Sequence, residues 1–300
     1  MRFDAVMSST IRHDARVRHP YYASGMPADP DPMLVARLRA AGCVFAEAEA
    51  ELLAAATDDD VELEALVVRR VAGEPLEVVL GWAEFAGLRL AVEPGVFVPR
   101  HRTELLAAEA AGIAREATRS HGRPAIVVDL CCGAGAIGAV VAATAAQVDL
   151  YAADLDPVAV RAARRNLEPR GGRVFEGDLY DALPTGVAGR IDVLAVNAPY
   201  VPTDEIALMP PEAREHEAVV ALDGGRDGLD VHRRVVASAR EWLAPGGSLL
   251  IETSEWQSDT AAELMRAGGL EPRSVRADDT DEDDTVVVVG RRPRATDPRG

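Results

Sequence analysis

Ten residues, Asp129-Leu-Cys-Cys-Gly-Ala-Gly-Ala-Ile-Gly138, leave this chain few folds to choose from. They follow Ala125–Leu130, an apolar run with the length of a buried strand, and they open the helix-like stretch Ala136–Ala146. Gly133, Gly135 and Gly138 form a G-x-G-x-x-G, whose glycines permit a tight turn and close packing of helix on strand. Asp154 ends the next strand-like segment, Asp149–Ala153, and lies 21 residues beyond Gly133. A strand, a glycine turn, a helix and a second strand ending in an acid predict a βαβ unit. Its ligand should sit at the carboxyl ends of the strands.

The alternation continues downstream. Helix Pro157–Leu167 has Asp156 as N-cap and Pro157 at its first position. Strands Arg173–Glu176 and Ile191–Asn197, helix Val231–Leu243, strand Ser248–Glu252 and helix Asp259–Ala267 follow, and two strands close the chain near Leu270–Ala277 and Thr285–Gly290. The expected fold is α/β, a doubly wound Rossmann-like sheet of seven strands. Only a loop separates the last two strands, so the final one should be antiparallel.

Upstream, 1–31 carries Pro20, Pro27 and Pro30 with little periodicity and reads as a leader. Residues 32–80 read as a small helical domain with helices Leu34–Ala41, Ala46–Ala56 and Leu63–Val71. Residues 81–123 read as a linker, with a hairpin or pair of extended segments over Trp82–Leu90 and Ala91–Val98 and a helix over Thr103–Thr118; the sheet domain takes 124–290 and a frayed tail 291–300. The acidic run Asp278–Asp284 reads as a solvated hairpin tip.

Two cofactors suit such a loop, NAD and S-adenosylmethionine. Asp129 at the tip of the first strand favours the second, because a carboxylate there suits a cationic amino-acid ligand better than a pyrophosphate. Cys131, Cys132, Gly133, Ala134 and Gly135 would form the turn around it, the thiols serving as small side chains. Asp154 is placed for ribose hydroxyls, Asp178 for an adenine amino group and Leu179 for the adenine ring. The chain has three cysteines and no metal-ligand spacing, which fits a reducing cytoplasm and a site without metal.

Asn197-Ala-Pro-Tyr200 follows the fourth strand of the sheet, again at a carboxyl end. A planar amide or aromatic amine is a poor nucleophile until its lone pair is drawn out of conjugation. Two acceptors gripping its N–H hydrogens achieve this, here the Asn197 side-chain oxygen and the Ala198 carbonyl. Pro199 restricts Ala198 to extended conformations and so aims that carbonyl, and Tyr200 can stack on a planar group.

At this point the chain resembles the release-factor glutamine methyltransferase family, class I S-adenosylmethionine enzymes that methylate the side-chain amide nitrogen of glutamine. The resemblance runs from about Leu34 to Gly290. It includes Arg69-Arg70-Val-Ala-Gly-Glu-Pro75, Gly81, Phe85, Leu88, Val98-Pro-Arg-His-Arg-Thr-Glu104, Glu217 and Ala221-Leu-Asp-Gly-Gly-Arg-Asp-Gly-Leu229. It implies that the N-terminal helices recognise a protein substrate, that Asp154, Asp178, Leu179 and Asn197 line the cofactor site, and that Asn197, Ala198, Pro199 and Tyr200 hold the glutamine. The chain departs from the family's usual pattern at Ala198, where a second proline is common, at Ala218, and at Cys131 and Cys132.

An adenine-N6 methyltransferase would use the same Asn-x-Pro-aromatic logic. Against it stands a balance of 32 basic to 49 acidic side chains, net −17, with every basic residue an arginine. A non-catalytic binding module is the remaining alternative. His101 and His216 read as surface side chains, Arg161, Arg164 and Arg165 as a solvated helix face, and Arg100 is spaced to pair with Glu104 or to help shape the site.

Overall fold

The computed structural model describes residues 30–145, 147–277 and 285–294. The leader before residue 30, the acidic run 278–284 and residues 295–300 lie outside the described residues. Two compact units meet at the Ala72/Gly73 boundary.

The first unit contains α1 (Pro32–Ala40), α2 (Ala46–Ala56) and α3 (Asp60–Val71). Asp31 and Asp59 cap α1 and α3 by accepting from the free N–H groups of Met33 and of Val61 and Glu62. The Asp58–Asp60 run therefore starts α3, three residues earlier than expected, as well as ending α2. Leu34, Leu38, Ala46, Ala50, Leu53 and Val67 are buried. So is the pair Arg70–Glu49, joined by bonds of 2.6 and 3.1 Å.

The second unit opens with α4 (Leu76–Leu80), which sequence reasoning groups with the first, and a hairpin of β1 (Trp82–Phe85) and β2 (Leu88–Ala91). The hairpin is tighter than predicted, and 92–98 forms no strand. Ala86 and Gly87 both have positive φ, 49° and 74°, as a two-residue primed turn requires. A third extended segment has no place in that pairing.

After α5 (Glu104–His121) come β3 (Ala125–Leu130), α6 (Ala136–Thr144), β4 (Val148–Asp154), α7 (Pro157–Leu167), β5 (Arg173–Glu176) and β6 (Ile191–Val196). Beyond the short α8 (Pro211–His216) lie α9 (Asp230–Trp242), β7 (Leu243–Ser254), α10 (Glu255–Ala267), β8 (Glu271–Arg276) and β9 (Thr285–Arg291). The strands form one seven-stranded sheet in the order β5-β4-β3-β6-β7-β9-β8, with β9 antiparallel to both neighbours. The expected sheet is present. Residues 291–294 are less frayed than predicted, because the β7–β9 pairing continues past Arg291: Gly246 N–H donates to Arg292 O at 2.9 Å and Arg292 N–H donates to Gly247 O at 2.8 Å.

Alternate residues of each strand serve opposite faces. Val127, Ala152, Val193 and Leu250 pack under α5, α6 and α7, while Val128, Ala153, Leu194 and Leu249 pack under α9 and α10. Coverage on both faces explains why β3 and β6 are buried at every residue. Chain order reverses between β3 and β6, which opens a crevice at their carboxyl ends.

Candidate active site

Four strand ends supply the floor of the cavity in that crevice: Cys131–Ala134 after β3, Ala153–Asp156 at the end of β4, Gly177–Leu179 after β5 and Asn197–Val201 after β6. Its other wall comes from Gly95–Phe97, Pro99, Arg100, Arg102, Thr103, Met209, Glu217 and Val220–Leu222. The sequence-selected residues Cys131, Cys132, Gly133, Ala134, Asp154, Asp178, Leu179, Asn197, Ala198, Pro199 and Tyr200 thus line one cavity.

Two of the expected cofactor residues do not. Asp129 is fully buried below the loop, and its Oδ2 accepts the Gly138 N–H at 2.8 Å. Burial pushes its carboxyl up to about 8, against the opposing pull of that bond. The carboxylate binds the first turn of α6 and does not line the cavity, because the glycine turn passes over it. Gly135, at φ 77°, faces α7, and a Cβ there would lie 2.9 Å from Leu167. It is needed for helix packing.

Asp154 is held from both sides. Its Oδ2 accepts Gly133 N–H at 2.8 Å and its Oδ1 accepts Asp156 N–H at 2.9 Å. Burial raises its carboxyl above the usual range, and the backbone bonds oppose that shift. Asp178 accepts from Arg234 at 2.7 Å, a partner across the cavity that its position in sequence does not reveal. The thiols of Cys131 and Cys132 are pushed up, first by burial and then by the neighbouring carboxylates, so both stay protonated.

The Asn-Ala-Pro-Tyr segment is tied to the Pro-Arg-His-Arg-Thr-Glu stretch through Thr103 and Arg102. Asn197 Nδ2 donates to the buried Thr103 Oγ1 at 3.2 Å, which orients the amide and leaves Oδ1 as its acceptor end. Ala198 is buried. Burial raises the Tyr200 hydroxyl above its ordinary value, opposed by Arg102, whose guanidinium sits 6.0 Å from the centre of the ring. Arg100 does not pair with Glu104. It donates to Glu217 at 2.5 Å, while Glu104 accepts from Ala86 N–H at 2.9 Å and lies 2.9 Å from His101. Burial raises the Glu217 carboxyl, against the pull of Arg100.

Two further residues escaped sequence reasoning. Asn166 on α7 bonds both backbone groups of Ala91 and donates to Ala134 O at 2.8 Å, fixing the glycine loop against the hairpin. Gln257 on α10 donates to Tyr200 O at 3.0 Å. Its signal was readable, since Ser254-x-x-Gln257 is a capping box, and that box starts α10 four residues before the predicted Asp259.

The Methyltransferase small domain model matches residues 113–211. Release factor glutamine methyltransferase of Geobacter sulfurreducens is 39% identical over 207 residues, covering 68% of this chain and 69% of that one. The chain belongs to the release factor glutamine methyltransferase family. The Streptomyces coelicolor protein of the same name is 38% identical, covering 67% of this chain and 70% of its own. A Streptomyces pristinaespiralis relative, 4-amino-L-phenylalanine/4-methylamino-L-phenylalanine methyltransferase, is 36% identical and covers 68% and 69%.

The chain is therefore a methyltransferase, and S-adenosylmethionine is its cofactor. The residues present fit that group. Asp154 presents a fixed carboxylate at a strand end, and Gly133, at φ 53°, has no protein atom within 4 Å of where a Cβ would lie, so the turn can be approached closely. Among the described residues, no helix is long and apolar enough to cross a membrane.

Proposed function

We propose that this enzyme methylates the side-chain amide nitrogen, N5, of a glutamine in a translation release factor. The observation that carries the reading is the Thr103-held Asn197 amide beside the glycine loop. With Nδ2 engaged on Thr103, Asn197 offers Oδ1, and Ala198 offers its carbonyl, to the two hydrogens of the acceptor amide. Holding both hydrogens draws the nitrogen lone pair out of conjugation and aims it. S-adenosylmethionine supplies an electrophilic methyl on its sulfonium sulfur. Asp154 is assigned the ribose hydroxyls, Asp178 and Leu179 the adenine, and Cys131–Ala134 the loop around the cofactor. Tyr200 walls the acceptor's planar group. The amide proton leaves after transfer, so the chain needs no strong base during it.

The named activity of the Geobacter and Streptomyces coelicolor relatives supports the glutamine acceptor. A net charge of −17 speaks against nucleic acid as the direct substrate. The three cysteines, none of them in a disulfide among the described residues, support a reducing cytoplasm as its location. Substrate recognition is assigned to the N-terminal helices, whose α3 exposes Val61 and Val68. A second reading, an arylamine on a small molecule, rests on the name of the Streptomyces pristinaespiralis relative and on the same two-acceptor chemistry.

The test is transfer of labelled methyl from S-adenosylmethionine to a purified release factor and, in parallel, to a lysate. The lysate is then split by protease, nuclease and filtration, with Asn197→Ala as control. Label on a release-factor glutamine is the expected result. Label lost to nuclease, or passing the filter as a small amine, overturns it.

A further inference from the structure

The Asn197–Tyr200 segment is irregular backbone, and Ala198 stands where the family commonly has a second proline. Within the segment only Pro199 restricts Ala198, so a hold from outside it adds to the aim of the Ala198 carbonyl. We propose that Gln257 is a further positioning residue of the site, its amide pinning the acceptor-holding segment and the Ala221–Leu229 loop to one another. The proposal rests on the functional reading above for its kinetic part only.

Gln257 is fully buried at the third position of α10. Its Oε1 faces Ser254 Oγ at 2.7 Å, Ser254 N–H at 3.4 Å and Thr253 Oγ1 at 3.0 Å. These contacts fix which end of the amide is which. Nε2 then donates one hydrogen to Tyr200 O at 3.0 Å and the other to Asp227 O at 3.1 Å. One side chain thus uses both donors on two loops that are remote in sequence, and neither carbonyl belongs to a helix or strand.

The loop it pins is built for contact with the acceptor segment. A Cβ on Gly228 would lie 2.1 Å from Tyr200 O and 2.3 Å from Gln257 Nε2, and one on Gly224 would lie 2.7 Å from Pro199 O. Val201 N–H donates to Leu222 O at 3.1 Å, Gly224 N–H to Val201 O at 2.8 Å and Thr203 N–H to Gly225 O at 3.0 Å, which continues the contact beyond Tyr200. Gly224 and Gly228 of this Gly-Gly-x-x-Gly are thereby explained as backbone laid on backbone, and Gly225 makes room for the Asp230 side chain. Gln257 is the side chain that closes the arrangement on the Tyr200 side.

Two variants separate positioning from simple helix capping. Gln257→Glu keeps an oxygen for Ser254 and loses both donors to Tyr200 and Asp227. Ser254→Ala weakens the cap and leaves those donors in place. The expected result is that Gln257→Glu lowers kcat about 100-fold, the scale of a 1 Å misplacement of a reacting group. S-adenosylmethionine Kd should stay within about threefold, and Ser254→Ala should keep kcat within about threefold while losing stability. Amide hydrogen exchange at Val201 and Thr203 in the purified protein should speed up in Gln257→Glu and not in Ser254→Ala. The proposal is overturned if exchange is unchanged in Gln257→Glu, if Ser254→Ala matches it in kcat, or if cofactor affinity falls as far as kcat. Exchange and cofactor binding need no acceptor. If wild type fails to methylate a release factor, the functional reading falls and the exchange result still decides for or against Gln257.

Discussion

Replacing Thr103 by valine is the sharpest probe of how the acceptor is held. Valine has nearly the shape of threonine and lacks only the hydroxyl that receives Asn197 Nδ2 at 3.2 Å. Thr103 is 4% exposed, so water cannot readily take the place of that oxygen. A neutral hydrogen bond of this kind contributes about 0.5–1.5 kcal/mol net, and a buried donor left without a partner costs about 1–3 kcal/mol. That energy now favours the Asn197 rotamer with Oδ1 presented for the acceptor. Without it, the flipped amide, which presents N–H where an acceptor is needed, gains population. A bias of about 1.4 kcal/mol is tenfold in rate, so kcat in Thr103→Val should fall about tenfold. Thr103→Ser, which keeps the oxygen, should stay within about threefold. The assay is single-turnover methyl transfer at saturating S-adenosylmethionine, with cofactor Kd measured alongside by calorimetry. Equal rates for Thr103→Val and wild type would refute the reasoning, as would a serine variant as slow as the valine one.

Asn197→Ala should abolish transfer while S-adenosylmethionine still binds, which equilibrium titration against the transfer assay will separate. Asp154→Asn should weaken cofactor binding about 10- to 100-fold, since hydrogen bonds to a charged group contribute about 1.5–3 kcal/mol; calorimetry reads it directly. Gly228→Ala should cost about 3 kcal/mol or more in urea unfolding, because φ is 72° and the new Cβ would collide with Tyr200 O. Burial lowers the His232 imidazole to about 4. Below its unfolded value, near 6.5, the unfolded chain binds the proton first, so its contribution is full above that pH. The contribution fades as pH falls from about 6.5 to about 4, by about 3 kcal/mol at the limit. Between pH 7.5 and 4.5 the unfolding free energy of wild type should fall about 2.5 kcal/mol further than that of His232→Gln, and parallel pH profiles would refute it.

The predicted helix Pro157–Leu167 and strand Arg173–Glu176 match the structure residue for residue, because a Pro at the first turn, an Asp cap and an apolar period are local signals. The Ala86-Gly87 turn is just as local, and it escaped because alanine rarely takes the positive φ it has here. The glycine loop and Asn197–Tyr200 stood out as motifs for the same reason that helices did. Their residue types are unusual in sequence and sit directly after strands.

What the chain alone settled, then, is the seven-stranded sheet and the four strand ends that face its crevice, since hydrophobic periodicity and turn chemistry depend on near neighbours. Partners across the crevice depend on which loops the sheet order brings together, and a linear pattern does not carry that. Arg100 spaced for Glu104 met Glu217 instead, and Asp129, suited in type to a ligand, ended beneath the turn with Gly138. Thr103 reached Asn197 across 94 residues and Gln257 reached Tyr200 across 57, so the orientation of the acceptor-holding groups was decided by tertiary packing.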